Sequence, residues 1–375
     1  MANWSAADHQ FMSRAVQIAW QGLYTTEPNP RVGCVLVKDG VAIAEGWHQI
    51  AGEGHAEVNA LRSAGDNATG CTAYVTLEPC SHFGKTPPCA DGLINAGVSE
   101  VIVGMVDPNP QVSGKGISKL EQAGIQVRSG LMESQCRELN PGFIKRMASG
   151  MPYVRLKMAA SLDGRTAMAS GESQWITGPL ARQDVQRLRA RSSAIISGVG
   201  SIIKDDSSLT VRESELGLAN AEQIVSRQPL RVVLDSAGRM PGSAKMLTLP
   251  GNTLIVSCVP VPAYIDGLDR VEWLKLPAAD GGIDLSLLLQ ELAKRDCNEV
   301  LVETGATLAG AFIDAQLVDE FVLYQAMKLL GSRARPMFLL PFDRMSEQVG
   351  FDLRDSRMLG DDIRLTLVPK KESKA

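Results

Sequence analysis

The stretch Thr76-Leu77-Glu78-Pro79-Cys80-Ser81-His82-Phe83-Gly84-Lys85-Thr86-Pro87-Pro88-Cys89, read with Gly54-His55-Ala56-Glu57 upstream of it, decides how the first part of the chain is built. A histidine and two cysteines supply three protein ligands to Zn²⁺ and leave a fourth position for water, the layout of a catalytic rather than a structural site. Only Ala56 separates Glu57 from His55, so Glu57 is not read as a further ligand; it is placed to carry protons to and from the metal's water. Taken singly, His55 reads as an ordinary helix residue and each cysteine as a small buried apolar one. Together, in this order, they point to a metal-activated water attacking an amine-bearing carbon.

Local patterns set these residues at junctions between elements. Gly52 and Gly54 break the chain before His55, and Ala56 to Ala64 reads as a helix whose first turn carries Glu57. Thr72 to Leu77 reads as a buried strand running into Glu78-Pro79-Cys80, and a helix is expected from Cys89 to about Gly97. Free N–H groups and the helix dipole at such junctions favour anions. Upstream, Ser5 to Gly22 is an amphipathic helix, and Val32 to Val37 and Val41 to Trp47 are β-rich runs joined by the hairpin signal Lys38-Asp39-Gly40. Downstream, strand Val101 to Met105, helix Gly116 to Gly124, strand Ile125 to Arg128 and helix Glu133 to Ser149 alternate, which argues for α/β layers.

The chain's 375 residues call for two domains. Hydrophobic content of 45% against 21% charged is that of a folded rather than a disordered protein. A net charge of −4 argues against nucleic acid or an anionic membrane as partner and for a small molecule. The N-terminus lacks a signal-peptide pattern and no apolar run reaches membrane-spanning length, so a cytoplasmic location is expected. Seven cysteines, odd in number and unevenly spaced, do not form a disulfide framework; Cys34, Cys71, Cys136, Cys258 and Cys297 are expected to be reduced and structural. A homo-oligomer, dimer or tetramer, is expected.

Gly150 and Pro152 punctuate the chain before a new β-rich run at Tyr153, giving domains 1–150 and 151–375. Tyr153 to Ala160 is a strand, Ser170 to Thr177 a polar loop, and Pro179 opens a helix to about Arg191. Strand Ala194 to Ser197 enters Gly198-Val199-Gly200-Ser201, and strand Val300 to Glu303 enters Thr304-Gly305-Ala306-Thr307-Leu308-Ala309-Gly310. Strand, glycine turn and helix form a geometry in which backbone N–H groups cradle a pyrophosphate, although neither run is a G-x-G-x-x-G fingerprint and a short glycine turn is often only a helix entry. Asn252 to Ser257, Glu320 to Gln325 and Ile363 to Val368 add strands, and Glu213 to Arg227 reads as a surface excursion.

The words PNPRVGCVLV, GHAEVNAL, VTLEPCSHFGKTPPC and DPNPQVSGKG resemble the deaminase domain of bifunctional riboflavin-biosynthesis deaminase/reductases. Most cytidine and tRNA-adenosine deaminases instead carry P-C-x-x-C. The words RLKMAASLDGRTAMASGESQWIT, DDSSLTVR, RVVLDS, LVETGATLAGAFI and VDEFVLYQAMKLLG resemble the reductase domain of the same family, so the resemblance covers nearly the whole chain. It implies an α/β protein with an N-terminal cytidine-deaminase-like α/β/α domain and a C-terminal dihydrofolate-reductase-like α/β domain. It also implies Zn²⁺ and NADPH as cofactors and a phosphoribosylated diaminopyrimidine as substrate, deaminated first and then reduced at the ribosyl C1′.

Carried over residue by residue, the resemblance makes His55, Cys80 and Cys89 the zinc ligands and Glu57 the proton shuttle. Asn29, His48, Lys85, Asp107 and Asn109 become candidate contacts for pyrimidine, ribose or phosphate, though each also suits a turn, cap or solvated loop. In the second domain the implied NADP contacts are Ala159, Trp175, Ser201, Asp205, Ser236 and the run Gly305, Ala306, Thr307, Leu308, Ala309, Gly310. Ser173, Arg189, Leu209, Arg212 and Glu303 are the implied substrate contacts, with the two arginines for the 5′-phosphate and Lys157 to polarise the ribose. Solvent-facing charge is the plain alternative for Lys157 and Arg189, and core packing for Trp175. Two other functions stand against this reading: a nucleoside or tRNA deaminase with an accessory domain, and a non-catalytic zinc- or nucleotide-binding module.

Overall fold

The structure is a computed structural model and describes residues 3–83, 87–110, 112–279 and 282–370. The chain divides into two compact units, Met1–Met151 and Pro152–Ala375. No helix among the described residues is long and apolar enough to cross a membrane.

The first unit is built on a five-stranded sheet of order β2-β1-β3-β4-β5, with β1 Gly33–Lys38, β2 Val41–Trp47, β3 Thr72–Val75, β4 Glu100–Val103 and β5 Gln126–Ser129. β1 pairs antiparallel with β2 and β3, and β3, β4 and β5 pair in parallel. Asp39 (φ 50°) and Gly40 (φ 76°) supply the positive-φ pair that a two-residue hairpin needs. Helix α1, Ala6–Ala19, starts with a reciprocal Ser5–Asp8 capping box and buries Met12, Ala15 and Ile18. Helix α2, Ala56–Ala64, puts its small face, Ala56, Ala60 and Ala64, inward. Gly46 of β2 lets it approach: a Cβ there would fall 2.3 Å from the Ala60 nitrogen. That close seat fixes the entry point of α2, and with it His55 and Glu57. Helices α3, Cys89–Asn95, and α4, Lys115–Gln122, are the crossovers between the parallel strands.

The helix expected from Glu133 to Ser149 is broken into Glu133–Leu139 and Pro141–Ser149. Proline disfavours helical geometry in the residue before it, and Asn140 (φ −133°) instead pairs with the Arg31 backbone through both ends of its amide, at 2.7 and 2.8 Å.

The second unit carries a nine-stranded sheet. In spatial order its strands are Val271–Lys275, Thr253–Ser257, Leu230–Leu234, Ala194–Gly198, Glu299–Glu303, Tyr153–Ser161, Glu320–Ala326, Asp362–Pro369 and Phe351–Leu359. Pairing is parallel from Val271–Lys275 through Glu320–Ala326, and the hairpin of the last two strands adds antiparallel at one edge. Leu230–Leu234, Val271–Lys275 and Phe351–Leu359 are strands that sequence reading did not mark. The last is an edge strand with mostly exposed residues and no clean alternation. The segment read as a surface excursion is corrected too. Glu213–Leu216 and Ala221–Val225 are short helices that bury Leu216 and Ile224, and the Leu216 carbonyl accepts from Arg187 Nε at 2.9 Å.

Candidate active sites

His55 is the residue that caps α2, Cys80 follows the end of β3, and Cys89 is the first residue of α3. Their ligand atoms all lie within 4.8 Å of one another, the one such group of three among the described residues. His55 Nδ1 is 3.2 Å from Cys89 Sγ and 3.6 Å from Cys80 Sγ. A tetrahedral zinc with bonds of about 2.0–2.3 Å sets its ligand atoms roughly 3.5–3.8 Å apart; the 3.6 Å spacing falls in that range, the 3.2 Å one is shorter, and the donor set suits this ion. Hydrogen bonds from the Cys89 thiol, the His55 ring and the Cys89 backbone N–H at 3.3 Å outweigh burial and hold the Cys80 thiol well below the ordinary thiol range. The same contact and burial push the Cys89 thiol up, and the Cys80 sulfur raises His55. The cluster thus presents an anionic sulfur to a cation.

Glu57 is 3% exposed. Burial pushes its carboxyl up, the Cys80 charge adds to this and His55 opposes it. His48 and Asn29 lie together beside the cluster. His48 Nδ1 faces the Gly54 carbonyl at 3.1 Å and must donate, which leaves Nε2 to accept from Asn29 Nδ2 at 3.1 Å. The ring is therefore neutral, as burial also favours, and it meets the His55 ring edge-on at 5.2 Å. Asp107 is buried, which pushes its carboxyl to about 6, and Asp107 Oδ1 accepts from the Asn109 N–H at 2.8 Å. Lys85 lies outside the described residues. Sequence reading passed over Glu78, a buried carboxylate next to Pro79-Cys80; the available signal was a charge closing an apolar strand. The other five cysteines are free thiols.

In the second unit a cleft of about 1620 Å³ opens along the carboxyl ends of the parallel strands, the usual ligand position in an open α/β sheet. Lys157 and Ala159 reach it from Tyr153–Ser161, Glu303 from Glu299–Glu303, and Ser236 from beyond Leu230–Leu234. Ser201 and Asp205 line it from the helix Val199–Asp205, and Gly305, Ala306, Thr307 and Leu308 from the start of Ala306–Asp314. Ser173, Trp175, Arg189, Leu209 and Arg212 complete the expected set. Two of the expected residues do not reach the cleft. Ala309 is fully buried, and Gly310 packs beneath the backbone of Leu339, where a Cβ would fall 1.9 Å from the carbonyl oxygen. That glycine serves a chain crossing rather than a phosphate cradle.

Three of the cleft's charges, Lys157, Arg189 and Glu303, are paired with one another. Arg189 holds Glu303 with both arms, Nε at 2.6 Å and Nη2 at 3.0 Å, while Lys157 Nζ stands 3.8 Å from Glu303. Burial raises the Glu303 carboxyl, but Arg189 and Lys157 outweigh it and hold it below the ordinary range. Burial lowers the Lys157 ammonium, and Glu303 opposes. Arg212 pairs with Glu215 at 2.6 Å on the surface. Both arginines therefore already hold a carboxylate partner. Trp175 is 62% exposed with the Arg182 guanidinium 4.5 Å from its ring centroid, which removes core packing as its role.

The cleft suits a dinucleotide. Gly200 and Gly305 leave open space where a side chain would stand, at the starts of helices Val199–Asp205 and Ala306–Asp314. Ser197 Oγ, buried in the wall, has no hydrogen-bond partner among the described residues. Ser197 was not in the expected set; a hydroxyl at the end of an otherwise apolar strand was the signal.

Comparison with known proteins follows the same division. Residues 5–105 match the family described as the cytidine and deoxycytidylate deaminase zinc-binding region, and residues 152–365 match the RibD C-terminal domain. The chain is 50% identical over 371 residues to the riboflavin biosynthesis protein RibD of Escherichia coli (strain K12), covering 96% of this chain and 99% of that one. It is 48% identical to its counterpart in Haemophilus influenzae over 99% of this chain and 100% of that one. Among solved structures, Acinetobacter baumannii RibD superposes with a TM-score of 0.91 at 49% identity, covering 97% of this chain and 99% of that one. A Thermotoga maritima structure, titled a diaminohydroxyphosphoribosylaminopyrimidine deaminase/5-amino-6-(5-phosphoribosylamino)uracil reductase, superposes with a TM-score of 0.82 at 33% identity, with the same coverage of 97% and 99%.

Proposed function

The chain belongs to the RibD family of riboflavin-biosynthesis proteins, and on that premise we propose how its own residues divide two reactions. It is a bifunctional enzyme, deaminase and reductase, with Zn²⁺ and NADPH as cofactors. Residues 1–150 deaminate a diaminohydroxyphosphoribosylaminopyrimidine to 5-amino-6-(5-phosphoribosylamino)uracil, and residues 151–375 reduce the ribosyl C1′ of that product to the ribitylamino compound. The Thermotoga relative's title supports this substrate. One observation carries the deaminase half: two cysteines and a histidine within reach of one ion, with a buried glutamate on the same turn.

His55, Cys80 and Cys89 would hold Zn²⁺, which would supply a water whose pKa is lowered toward neutrality. Glu57 takes the proton released and delivers it to the leaving amine; its burial and raised pKa let it hold that proton between transfers. Asn29, His48, Lys85, Asp107 and Asn109 orient the pyrimidine and its phosphoribosyl group. Neutral His48, fixed as a donor to Gly54, offers a rigid wall rather than a charge.

In the cleft NADPH supplies the hydride. Ala159, Trp175, Ser201, Asp205, Ser236 and the turn Gly305 to Leu308 hold the cofactor. Ser173, Arg189, Leu209, Arg212 and Glu303 contact the substrate, and Lys157 polarises the ribose. Glu303 sets the direction in which Arg189 and Lys157 present their charges. A cytoplasmic homo-oligomer completes the proposal, the free thiols being in keeping with a reducing compartment.

Ammonia release and NADPH consumption, measured on the diaminopyrimidine phosphate with and without a zinc chelator, test this reading. Chelation is expected to abolish ammonia release and to spare NADPH consumption on the deaminated compound. Deamination of free cytidine in place of the pyrimidine phosphate overturns it in favour of a nucleoside deaminase.

A further inference from the structure

Glu78 is 3% exposed, yet no cation pairs with it among the described residues. Its carboxylate is instead filled by backbone N–H groups of one downstream segment. Asp107 and Gly114 donate to Oε2 at 3.1 and 3.0 Å, and Gly116 and Ile117 donate to Oε1 at 2.9 and 3.2 Å. Three of these donors belong to the start of α4, where free N–H groups and the helix dipole favour an anion. The N–H of Glu78 itself donates to Met105 O at 3.0 Å, so the same residue is stitched to the far side twice. Gly116 tightens the seam: a Cβ there would fall 1.9 Å from the Pro79 carbonyl oxygen, leaving α4 to begin directly against the peptide that leads into Cys80.

We propose that Glu78 is a positioning residue of the deaminase: by gathering the N–H groups of Asp107, Gly114, Gly116 and Ile117, it clamps the segment bearing Asp107 and Asn109 to the segment bearing Cys80. The proposal rests on the deaminase reading and adds a named device to it. Glu78 is not one of the grouped ligand residues and acts through the two segments its hydrogen bonds join. A shift of either loop by about 1 Å is enough to spoil substrate contacts while the ligand cluster stays assembled. A carboxylate suits the task because both oxygens accept, each from two donors.

The test is Glu78→Gln in the full chain, with zinc content and the kcat and KM of ammonia release measured on the diaminopyrimidine phosphate. An amide offers one acceptor oxygen and turns its NH₂ toward two backbone N–H groups, so half of the clamp becomes repulsive. Zinc content is expected to match the unaltered chain, kcat to change by less than about threefold, and KM to rise about tenfold or more. Glu78→Asp, which keeps the charge, is expected to recover part of the KM. Unaltered KM in Glu78→Gln overturns the proposal, and so does zinc loss in step with activity, which would make Glu78 a support of Cys80 alone. Should Glu78→Gln not fold, Gly116→Ala pushes α4 off Pro79 with Glu78 intact; a raised KM supports the clamp and an unaltered KM overturns it. Turnover by the unaltered chain is the control, since its failure removes the deaminase reading itself, whereas normal turnover beside an unaffected Glu78→Gln removes only Glu78.

Discussion

In the first unit two cysteine sulfurs and an imidazole converge as donors suited to a cation, whereas in the second Lys157 and Arg189 share one carboxylate, Glu303, in a largely buried hub. The first arrangement is a set of soft and imidazole donors that a zinc ion fits. In the second, Arg189 and Arg212 already have carboxylate partners, with which the proposed phosphate contact has to compete. One consequence is that damage takes different forms. Removing a proton carrier from the cluster silences chemistry and leaves the assembly standing, while removing the carboxylate from the hub strands two cations in a poorly solvated site.

The sharpest way to break this comparison is Glu57→Gln. Zinc is expected to stay bound, and ammonia release to fall by about two to four orders of magnitude, the usual worth of a positioned proton carrier. Reduction of the deaminated compound is expected to continue unchanged. Equal loss of both activities would mean that the two units do not work as separate centres.

Glu303→Gln is expected to have the next largest effect, on the other half. Leaving Arg189 without its bidentate partner costs about 3–5 kcal/mol in the stability of the second unit, measured by denaturant unfolding. NADPH consumption falls while ammonia release is retained. The sign on pH follows from the pairing: Glu303 raises the Lys157 pKa against burial, so without it the ammonium loses its proton at a lower pH. The alkaline limb of the reductase profile therefore shifts toward neutrality, and an unmoved limb would remove Lys157 from the reaction.

These contrasts bear on what a sequence discloses. His55, Glu57, Cys80 and Cys89 were legible because zinc chemistry demands those residue types, and because two short segments supply all of them. The hub was legible only as separate names. Lys157, Arg189 and Glu303 come from distant strands and a helix, and nothing in their local patterns says that they pair. Glu78 was hidden for a similar reason, since its partners are backbone amides that carry no sequence signature. Phe351–Leu359 escaped notice because an edge strand exposed along most of its length has no hydrophobic alternation to read. The break at Asn140-Pro141 was visible in principle, as the residue before a proline avoids helical geometry, but the segment was read as one helix in the strand–helix alternation.

Gly310 was misread by the same kind of error, and it provides a smaller test. A glycine after T-G-A-T-L-A resembles a phosphate cradle, yet its missing side chain is what lets Leu339 cross the helix. Gly310→Ala must displace backbone rather than a flexible side-chain end, so a loss of about 1–3 kcal/mol is expected in the second unit. The KM for NADPH should change little beside that loss. A large rise in KM with unaltered stability would return Gly310 to the cofactor site.

The smallest expected effect separates structure from recognition at Arg212. Its pair with Glu215 lies on the surface, with the arginine side chain 46% exposed, and exposed pairs of this kind contribute under about 1 kcal/mol. Arg212→Ala should therefore leave unfolding nearly where it was. If Arg212 also meets the substrate phosphate, the same variant raises the reductase KM, and Glu215→Gln, which frees the guanidinium from its competitor, lowers it. Arg189 offers no such lever, because its carboxylate is the hub itself. Opposite shifts in KM from the two variants, with stability flat in both, would identify Arg212 as the arm that the phosphate can win.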